Sequence, residues 1–104
     1  MAQFDVYRNP DSHSSLVVPY LLDIQSDLLS LYTTRVVVPL ILAAKAEKPI
    51  KHFNPQFTIE RNIVMLVMAE ITNVPRNWLK TKITSLQEHR YEILQAIDIL
   101  ISGV

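Results

Sequence analysis

The chain contains no cysteine and only one glycine, Gly103, among its 104 residues. The absence of cysteine excludes disulfide bonds and thiolate metal sites, and it fits a reducing cytoplasm. A glycine that stands alone, beside the last residue, excludes a glycine-rich phosphate-binding loop. In that position it can adopt the left-handed conformation that ends a helix at little steric cost.

The chain also lacks net charge, because ten Lys and Arg residues balance ten Asp and Glu residues. It therefore lacks the basic excess expected of an autonomous nucleic-acid-binding protein. With 49% hydrophobic residues and no charge to oppose association, the protein is expected to form a homodimer.

No apolar run is long enough to cross a membrane, which requires about 20 residues. The most hydrophobic window, residues 36–44, is interrupted by Pro39. The first five residues have neither a basic lead nor an apolar run, so no signal peptide is expected. We therefore expect a soluble, cytoplasmic protein without membrane contact, folded as a single domain over residues 1–104.

Residues 86–104 have the spacing of an amphipathic helix. Apolar side chains recur on one face at Leu86, Ile93, Ile97 and Leu100. A Ser or Thr three positions before a Gln or Glu can form the capping box that satisfies free amides at a helix start. Two pairs have this spacing: Thr84 with Gln87, and Ser85 with Glu88. The pattern predicts a helix that starts near Leu86 and ends at Gly103.

The rest of the chain has the pattern of short strands joined by polar loops. The strands are predicted at residues 4–7, 16–24, 35–40, 57–60 and 63–68. Pro19 indicates that the second strand lies at an edge or contains a bulge. Residues 60–62 are predicted to form a hairpin turn, residues 9–15 a mobile loop and residues 45–55 a second loop. Residues 71–75 are expected to break the last strand run. This order predicts an α+β fold with a mostly antiparallel sheet and a C-terminal α-helix.

The residue types that carry chemistry form no convergent set. The histidines are His13, His52 and His89. They lack metal-ligand spacing, so we interpret them as solvated or structural. Asp23, Ser26 and Asp27 could form an acid–base set, but their place around a turn favours a local backbone cap at Ser26 or Asp27. We expect no catalytic site, no metal and no cofactor.

Several large apolar side chains allow two interpretations. Met65 and Met68 favour core filling over a soft binding face. Trp78 is suited equally to anchor an interface and to pack the final helix onto the sheet. At the end of that helix, Leu100 and Ile101 favour a contact surface, because a terminus that is not tied down usually frays.

Two blocks of sequence carry a resemblance to a known family. They are Leu22 to Leu29 and Arg35 to Leu40. Further matches are Gln3-Phe4, Val6-Tyr7, Val74-Pro75, Leu86, Ala96-Ile97-Asp98 and the terminal Gly103-Val104. With these residues in this order, the chain resembles the CcdB toxins of bacterial toxin–antitoxin modules over nearly its whole length.

The resemblance implies a homodimeric SH3-like barrel with a C-terminal helix and no enzymatic activity. It implies a toxin that binds the A subunit of DNA gyrase and traps the enzyme with its DNA cleaved. It also implies a cognate CcdA-like antitoxin that neutralises the toxin. Toxin and antitoxin together would repress their operon, with operator DNA contacted only through the antitoxin.

The resemblance also implies which residues make these contacts. By motif match, the gyrase-binding residues are Leu28, Leu29, Asp98, Ile101, Ser102, Gly103 and Val104. The antitoxin-binding residues are Arg8, Asn9, Pro10, Asp11, Ser12 and His13. Plasmid-type members carry a tryptophan where this chain has Ser102, which offers no aromatic face to a cation. An alternative therefore stays open: a non-toxic or weakly toxic homologue that acts as an antitoxin-binding co-repressor.

Overall fold

Seven strands form a single antiparallel sheet in the computed structural model, which describes residues 1–103. The strands are β1 (Asp5–Arg8), β2 (Tyr20–Asp23), β3 (Thr34–Leu42), β4 (Gln56–Ile59), β5 (Asn62–Leu66), β6 (Thr72–Pro75) and β7 (Lys82–Ser85). Within the same range, the one α-helix is α1 (Arg90–Ser102), which follows the last strand. This curled antiparallel sheet with a C-terminal helix confirms the predicted α+β, SH3-like barrel fold.

The long strand β3 holds the sheet together. The strands run in the order β4-β5-β3-β2-β1-β7, and β6 pairs with β3 outside this path. The first half of β3 pairs with β6 from Thr34 to Val37, and its second half pairs with β5 from Leu40 to Leu42. Pro39 lies in the gap between these pairings, so its missing N–H removes no hydrogen bond from either ladder.

The predicted hairpin turn is confirmed, and it joins β4 to β5 without a glycine. Ile59 pairs with Asn62, so the turn has two residues, Glu60 and Arg61, with φ of 51° and 69°. Both have positive φ, as in a type I′ turn. A left-handed residue other than glycine costs about 1–2 kcal/mol. The Glu60 side chain offsets part of this cost by accepting a 2.7 Å hydrogen bond from the Tyr20 hydroxyl.

The main hydrophobic core lies between one face of the sheet and α1. Ile93 and Ala96 of α1 are fully buried in it. The half-buried residues of the helix that pack around them are Leu94, Ile97 and Leu100. Met65 and Met68 are buried, which confirms their predicted role in core filling.

A second, smaller apolar cluster explains the valine run of β3. Its members are Tyr7, Leu21, Val37, Val74 and Leu79. Val37 belongs to this cluster and Val38 to the main core. Since neighbouring residues of a strand point to opposite faces, β3 is buried on both faces, as predicted.

The prediction for residues 71–75 was wrong, because most of this segment forms β6. β6 pairs with β3 and buries only Val74 among its four residues. A strand that buries one side chain has too little apolar alternation to be recognised in the sequence. The same reason explains why β7, with no fully buried residue, was missed.

The predicted start of the helix was also wrong. The N–H of Leu86 donates to the carbonyl of Phe4 at 2.8 Å, which ties this residue to the sheet. Thr84 and Ser85 lie in β7, so neither forms a capping box with α1. Ser85 Oγ instead accepts a 3.2 Å hydrogen bond from Gln87 N, at the start of the 3-10 turn that precedes Arg90.

The second strand is shorter than predicted and lies inside the sheet. It begins at Tyr20, whereas Leu16 belongs to a 3-10 turn. Pro19 directly precedes the strand, and its carbonyl accepts a 2.9 Å hydrogen bond from Asn9 N. Pro19 therefore starts an internal strand instead of marking an edge.

Candidate functional site

The end of α1 is closed by Gly103, as predicted. Gly103 has φ of 77° and ψ of 11°, and its N–H donates to the carbonyl of Ile99. A Cβ on Gly103 would meet nothing within 4 Å, so backbone conformation and not crowding favours glycine here. Ser102 Oγ donates a 2.7 Å hydrogen bond to the carbonyl of Asp98. Both groups stabilise the last turn of the helix.

This last turn presents an apolar side chain to solvent. Ile101 is 78% exposed, although the turn that carries it is closed. Asp98 and Ser102 are also exposed. Tyr91, which was not predicted as a site residue, lies seven residues before Asp98 on the same helix face and is largely exposed. Val104, the remaining residue assigned to this end, lies outside the described residues.

The segment after β2 carries the most exposed large apolar side chains of the described chain. Leu28 is 94% exposed and Leu31 is 91% exposed, and both Leu29 and Tyr32 are exposed to a lesser degree. Leu28 and Leu29 were singled out in the sequence. Leu31 was missed, because a leucine beside a turn gives no signal that distinguishes a buried from an exposed position.

Hydrogen bonds hold this exposed segment in place. Ser26 Oγ accepts from Leu28 N at 3.2 Å, which confirms the predicted cap. Gln25 Nε2 donates to the carbonyl of Leu29 at 3.0 Å, and Arg76 Nη1 donates to the carbonyl of Ser30. Because the backbone that carries these leucines is already braced, it loses little conformational entropy on binding. The segment is therefore suited to a protein contact.

A buried ion pair between β2 and β3 lies next to this segment. Asp23 and Arg35 are both fully buried. Arg35 Nε and Nη2 lie 2.9 and 2.6 Å from Asp23 Oδ2. Burial raises the pKa of Asp23, and the hydrogen bond from Arg35 opposes that rise. Asp27 Oδ1 accepts from Gln3 N at 2.9 Å. With these carboxylates in structural contacts, the local arrangement does not resemble an acid–base pair.

The two sets of predicted gyrase contacts lie toward different ends of α1. Gln3 bonds to Asp27 through its backbone N, and its side-chain Oε1 accepts from Arg90 Nη1 at 3.2 Å. The Leu28 segment is thereby linked to the first residue of α1, whereas Ser102 is the last. At 1.5 Å per residue these helix ends are about 18 Å apart. A target surface that uses both sets must span this length or combine two copies of the chain.

The predicted antitoxin residues form a loop, as predicted, and hydrogen bonds brace it. Asn9 is buried, and its Nδ2 donates to Ser14 Oγ and to the carbonyl of Val18, both at 2.9 Å. Asp11 accepts from Ser14 Oγ and His13 N. Both hydrogen bonds lower the pKa of Asp11, and the one from Ser14 has the larger effect. Asn9 therefore holds the loop in shape, and the exposed residues that follow it are available for contact.

Arg8, the first antitoxin residue, is fixed by the hairpin at the far edge of the sheet. Its Nη2 lies 3.2 and 3.0 Å from the two carboxylate oxygens of Glu60. Glu60 also accepts from Tyr20, and that hydrogen bond is the main reason that the pKa of Glu60 is lowered.

The structure brings to this loop two residues that the sequence analysis did not connect with it. A cavity of about 340 Å³ separates residues Arg8 to Ser12 from Trp78 and Lys80. Trp78 is 42% exposed and does not belong to the core under α1, which favours the interface interpretation. A backbone hydrogen bond brings the two segments together: the N–H of Arg8 donates to the carbonyl of Thr81 at 2.9 Å. It depends on the strand β7, which was not recognised in the sequence.

Residues 1–103 contain no group of three or more His, Asp or Glu side chains placed to hold a metal ion. His89 lies 3.0 Å from Glu92 and 3.6 Å from Glu88. In the same range, no helix combines the length and hydrophobicity that crossing a bilayer requires.

A curled SH3-like sheet and a C-terminal helix form the fold of this chain, and both carry exposed apolar residues on braced backbone. A family model described as CcdB protein matches residues 3–103 of this chain. The chain therefore belongs to the CcdB family, which comprises toxins of toxin–antitoxin systems and is not a family of catalytic enzymes. No curated protein matches the chain at a significant level.

Proposed function

We propose that the protein is a toxin that binds the A subunit of DNA gyrase and traps the enzyme with its DNA cleaved. The observation that carries this proposal is the exposure of Leu28 and Ile101 on backbone that is held by caps and hydrogen bonds. An inhibitor shifts a population only by binding one state of its target better than another. These leucine and isoleucine contacts would favour the cleaved, open state of gyrase.

The proposed gyrase surface has two parts, and a homodimer supplies both from two chains. One part is Leu28 and Leu29, to which the exposure of Leu31 adds further apolar area. The other part consists of Asp98, Ile101, Ser102, Gly103 and Val104. The helix ends of one chain are about 18 Å apart, so one broad target surface or two copies of the chain would bring both parts into contact.

The proposed antitoxin contact is the loop Arg8, Asn9, Pro10, Asp11, Ser12 and His13. A cognate CcdA-like antitoxin bound there would neutralise the toxin, and the complex would repress its own operon. The zero net charge supports an arrangement in which the antitoxin, and not this chain, contacts operator DNA. We also propose a cytoplasmic location, since gyrase acts on DNA there.

Expression in bacteria tests the gyrase target. The wild-type chain should arrest growth in a strain with ordinary gyrase and should spare a strain whose gyrase A subunit resists such toxins. Leu28→Lys should relieve the arrest, because it places a charge at the centre of the proposed contact. Leu16→Lys is the matched control, since Leu16 is also an exposed leucine on a 3-10 turn. Equal arrest in both strains would exclude gyrase as the target.

A second function is favoured by one observation at the helix terminus. The Ser102 hydroxyl is already bonded to Asp98, and this position lacks the aromatic ring of plasmid-type members. A non-toxic or weakly toxic co-repressor that only binds an antitoxin would fit this site. In that case expression would leave growth unchanged in both strains, while the chain would strengthen binding of its antitoxin to operator DNA.

A further inference from the structure

The loop between β6 and β7 concentrates positive charge in a chain that is neutral overall. Residues 76–82 contain Arg76, Lys80 and Lys82 and no acidic residue. Lys82 Nζ is neutralised by Asp5 at 3.3 Å. Arg76 donates to the neutral carbonyl of Ser30 and keeps its charge. Lys80 forms no ion pair within residues 1–103.

Lys80 lines two cavities beside this loop. The smaller, about 340 Å³, lies between Trp78 and the wall formed by Arg8 to Ser12. The larger, about 770 Å³, is lined by Arg76 and by the apolar side chains of Met1 and Leu79. Among residues 1–103, no carboxylate lines either cavity. We call these two cavities, which have Lys80 in common, the Trp78 groove.

We propose that the Trp78 groove binds an acidic, extended segment of the antitoxin, with a large apolar side chain of that segment packed on Trp78. Charge complementarity carries the assignment, because Arg76 and Lys80 face a groove without a carboxylate. Tryptophan and arginine are the residues that most often dominate binding energy at protein interfaces. This inference rests on the proposed function, since the Arg8 to Ser12 wall is the proposed antitoxin surface.

The groove suits a peptide better than a nucleic acid. Arg8 is paired with Glu60, so among the side chains of the described lining residues two cations remain without an ion pair, Arg76 and Lys80. A nucleic-acid site requires a basic excess that tracks many phosphates, which this neutral chain does not supply. The walls combine apolar surface with a few cations, as a site for an acidic peptide with an apolar anchor requires.

Trp78 is the only tryptophan of the chain, so its fluorescence reports on the groove alone. The probe is a short synthetic peptide in which glutamates flank a central phenylalanine, and the control peptide has glutamines in their place. We expect the acidic peptide to change the Trp78 emission to saturation and the glutamine peptide to leave it unchanged. Added salt should weaken binding, because the contacts of Arg76 and Lys80 are exposed.

Two charge-reversal variants separate the groove from general electrostatics. Lys80→Glu should weaken peptide binding about five- to tenfold. Lys51→Glu makes the same charge change in the loop between β3 and β4, away from the groove, and should leave binding unchanged. With a labelled peptide, Trp78→Ala should weaken binding about tenfold. Unchanged far-ultraviolet circular dichroism would show that each variant is folded.

Three results would overturn the inference. They are an unchanged Trp78 emission, equal weakening by Lys80→Glu and Lys51→Glu, and tighter binding of a thymidine oligonucleotide than of the acidic peptide. The growth assay is independent of all three. Growth arrest that depends on gyrase, together with failed peptide binding, would leave the toxin function intact and reject the groove. Peptide binding without any effect on growth would support the groove and reject the gyrase target.

Discussion

The substitution Ile93→Ala tests which face of α1 supports the fold. Ile93 is fully buried in the main core. The change removes three carbon atoms, which corresponds to about 2.4 kcal/mol of transfer free energy at about 0.8 kcal/mol each. The cavity left behind adds to this loss, so we expect a total of about 3–4 kcal/mol. With a urea slope of about 1.5 kcal/mol per molar, the unfolding midpoint would fall by about 2 M.

Ile101→Ala is the matched control on the same helix, because Ile101 is 78% exposed. It should change the free energy of unfolding by about 0.5 kcal/mol or less. Urea unfolding followed by helical circular dichroism measures both variants, at one fixed protomer concentration because a dimer's stability depends on it. Equal shifts of the midpoint would refute the assignment of buried and contact faces.

The remaining predictions concern the buried ion pair, alkaline pH and assembly. Arg35→Ala should destabilise the fold by about 3–5 kcal/mol, because it leaves the Asp23 carboxylate buried without a charged partner. The double variant Asp23→Val with Arg35→Met should cost less, and an equal or larger loss in urea unfolding would contradict this. Burial, and next the hydrogen bond to Glu60, raise the pKa of Tyr20 above its ordinary 10.0. Stability from Tyr20 is therefore fully present below that value and is lost as pH rises through the folded-state pKa. Above pH 10, the unfolding free energy of Tyr20→Phe should fall less steeply with pH than that of the wild type. An unchanged slope would show that Tyr20 does not cause the alkaline loss of stability. The protein should sediment as a homodimer at micromolar concentration, with unfolding that depends on concentration; a monomer would reject the two-chain target surface.

The fold could be predicted from the sequence where local patterns are strong. The alternation around Val6, the valine run of β3 and the Ile93–Ile97 spacing each correspond to an element of the structure. β6 and β7 were missed because they are held by pairing with β3 and β1 and bury little side-chain surface. The helix start was misplaced because the hydrogen bond from Leu86 to Phe4 joins residues 82 positions apart, which no local pattern records.

Some residues of the candidate site could likewise be predicted from the sequence, and others could not. Leu28 and Ile101 were predicted as contact residues by resemblance, Ile101 also from its place at the helix end. Gly103 was predicted to end the helix from its intrinsic conformational freedom. The exposure of Leu31 depends on the bracing of residues 27–32 and could not be derived from periodicity. Trp78 reaches the loop after Arg8 only through the pairing of β1 with β7. Contacts that arise from such long-range strand pairing cannot be predicted from local sequence patterns and become visible only in the structure.

The central claim is that the helix terminus contacts gyrase although its tryptophan is absent. Titration of a gyrase A fragment with three folded proteins tests it most directly: wild type, a truncation that ends at Ile101, and Ser102→Trp. The truncation removes no part of the described core, so the fold should survive while gyrase binding is lost. Ser102→Trp should bind more tightly, by up to about 2 kcal/mol if the ring meets a desolvated cation. Unchanged affinity after truncation, or no binding by either wild type or Ser102→Trp, would contradict the claim.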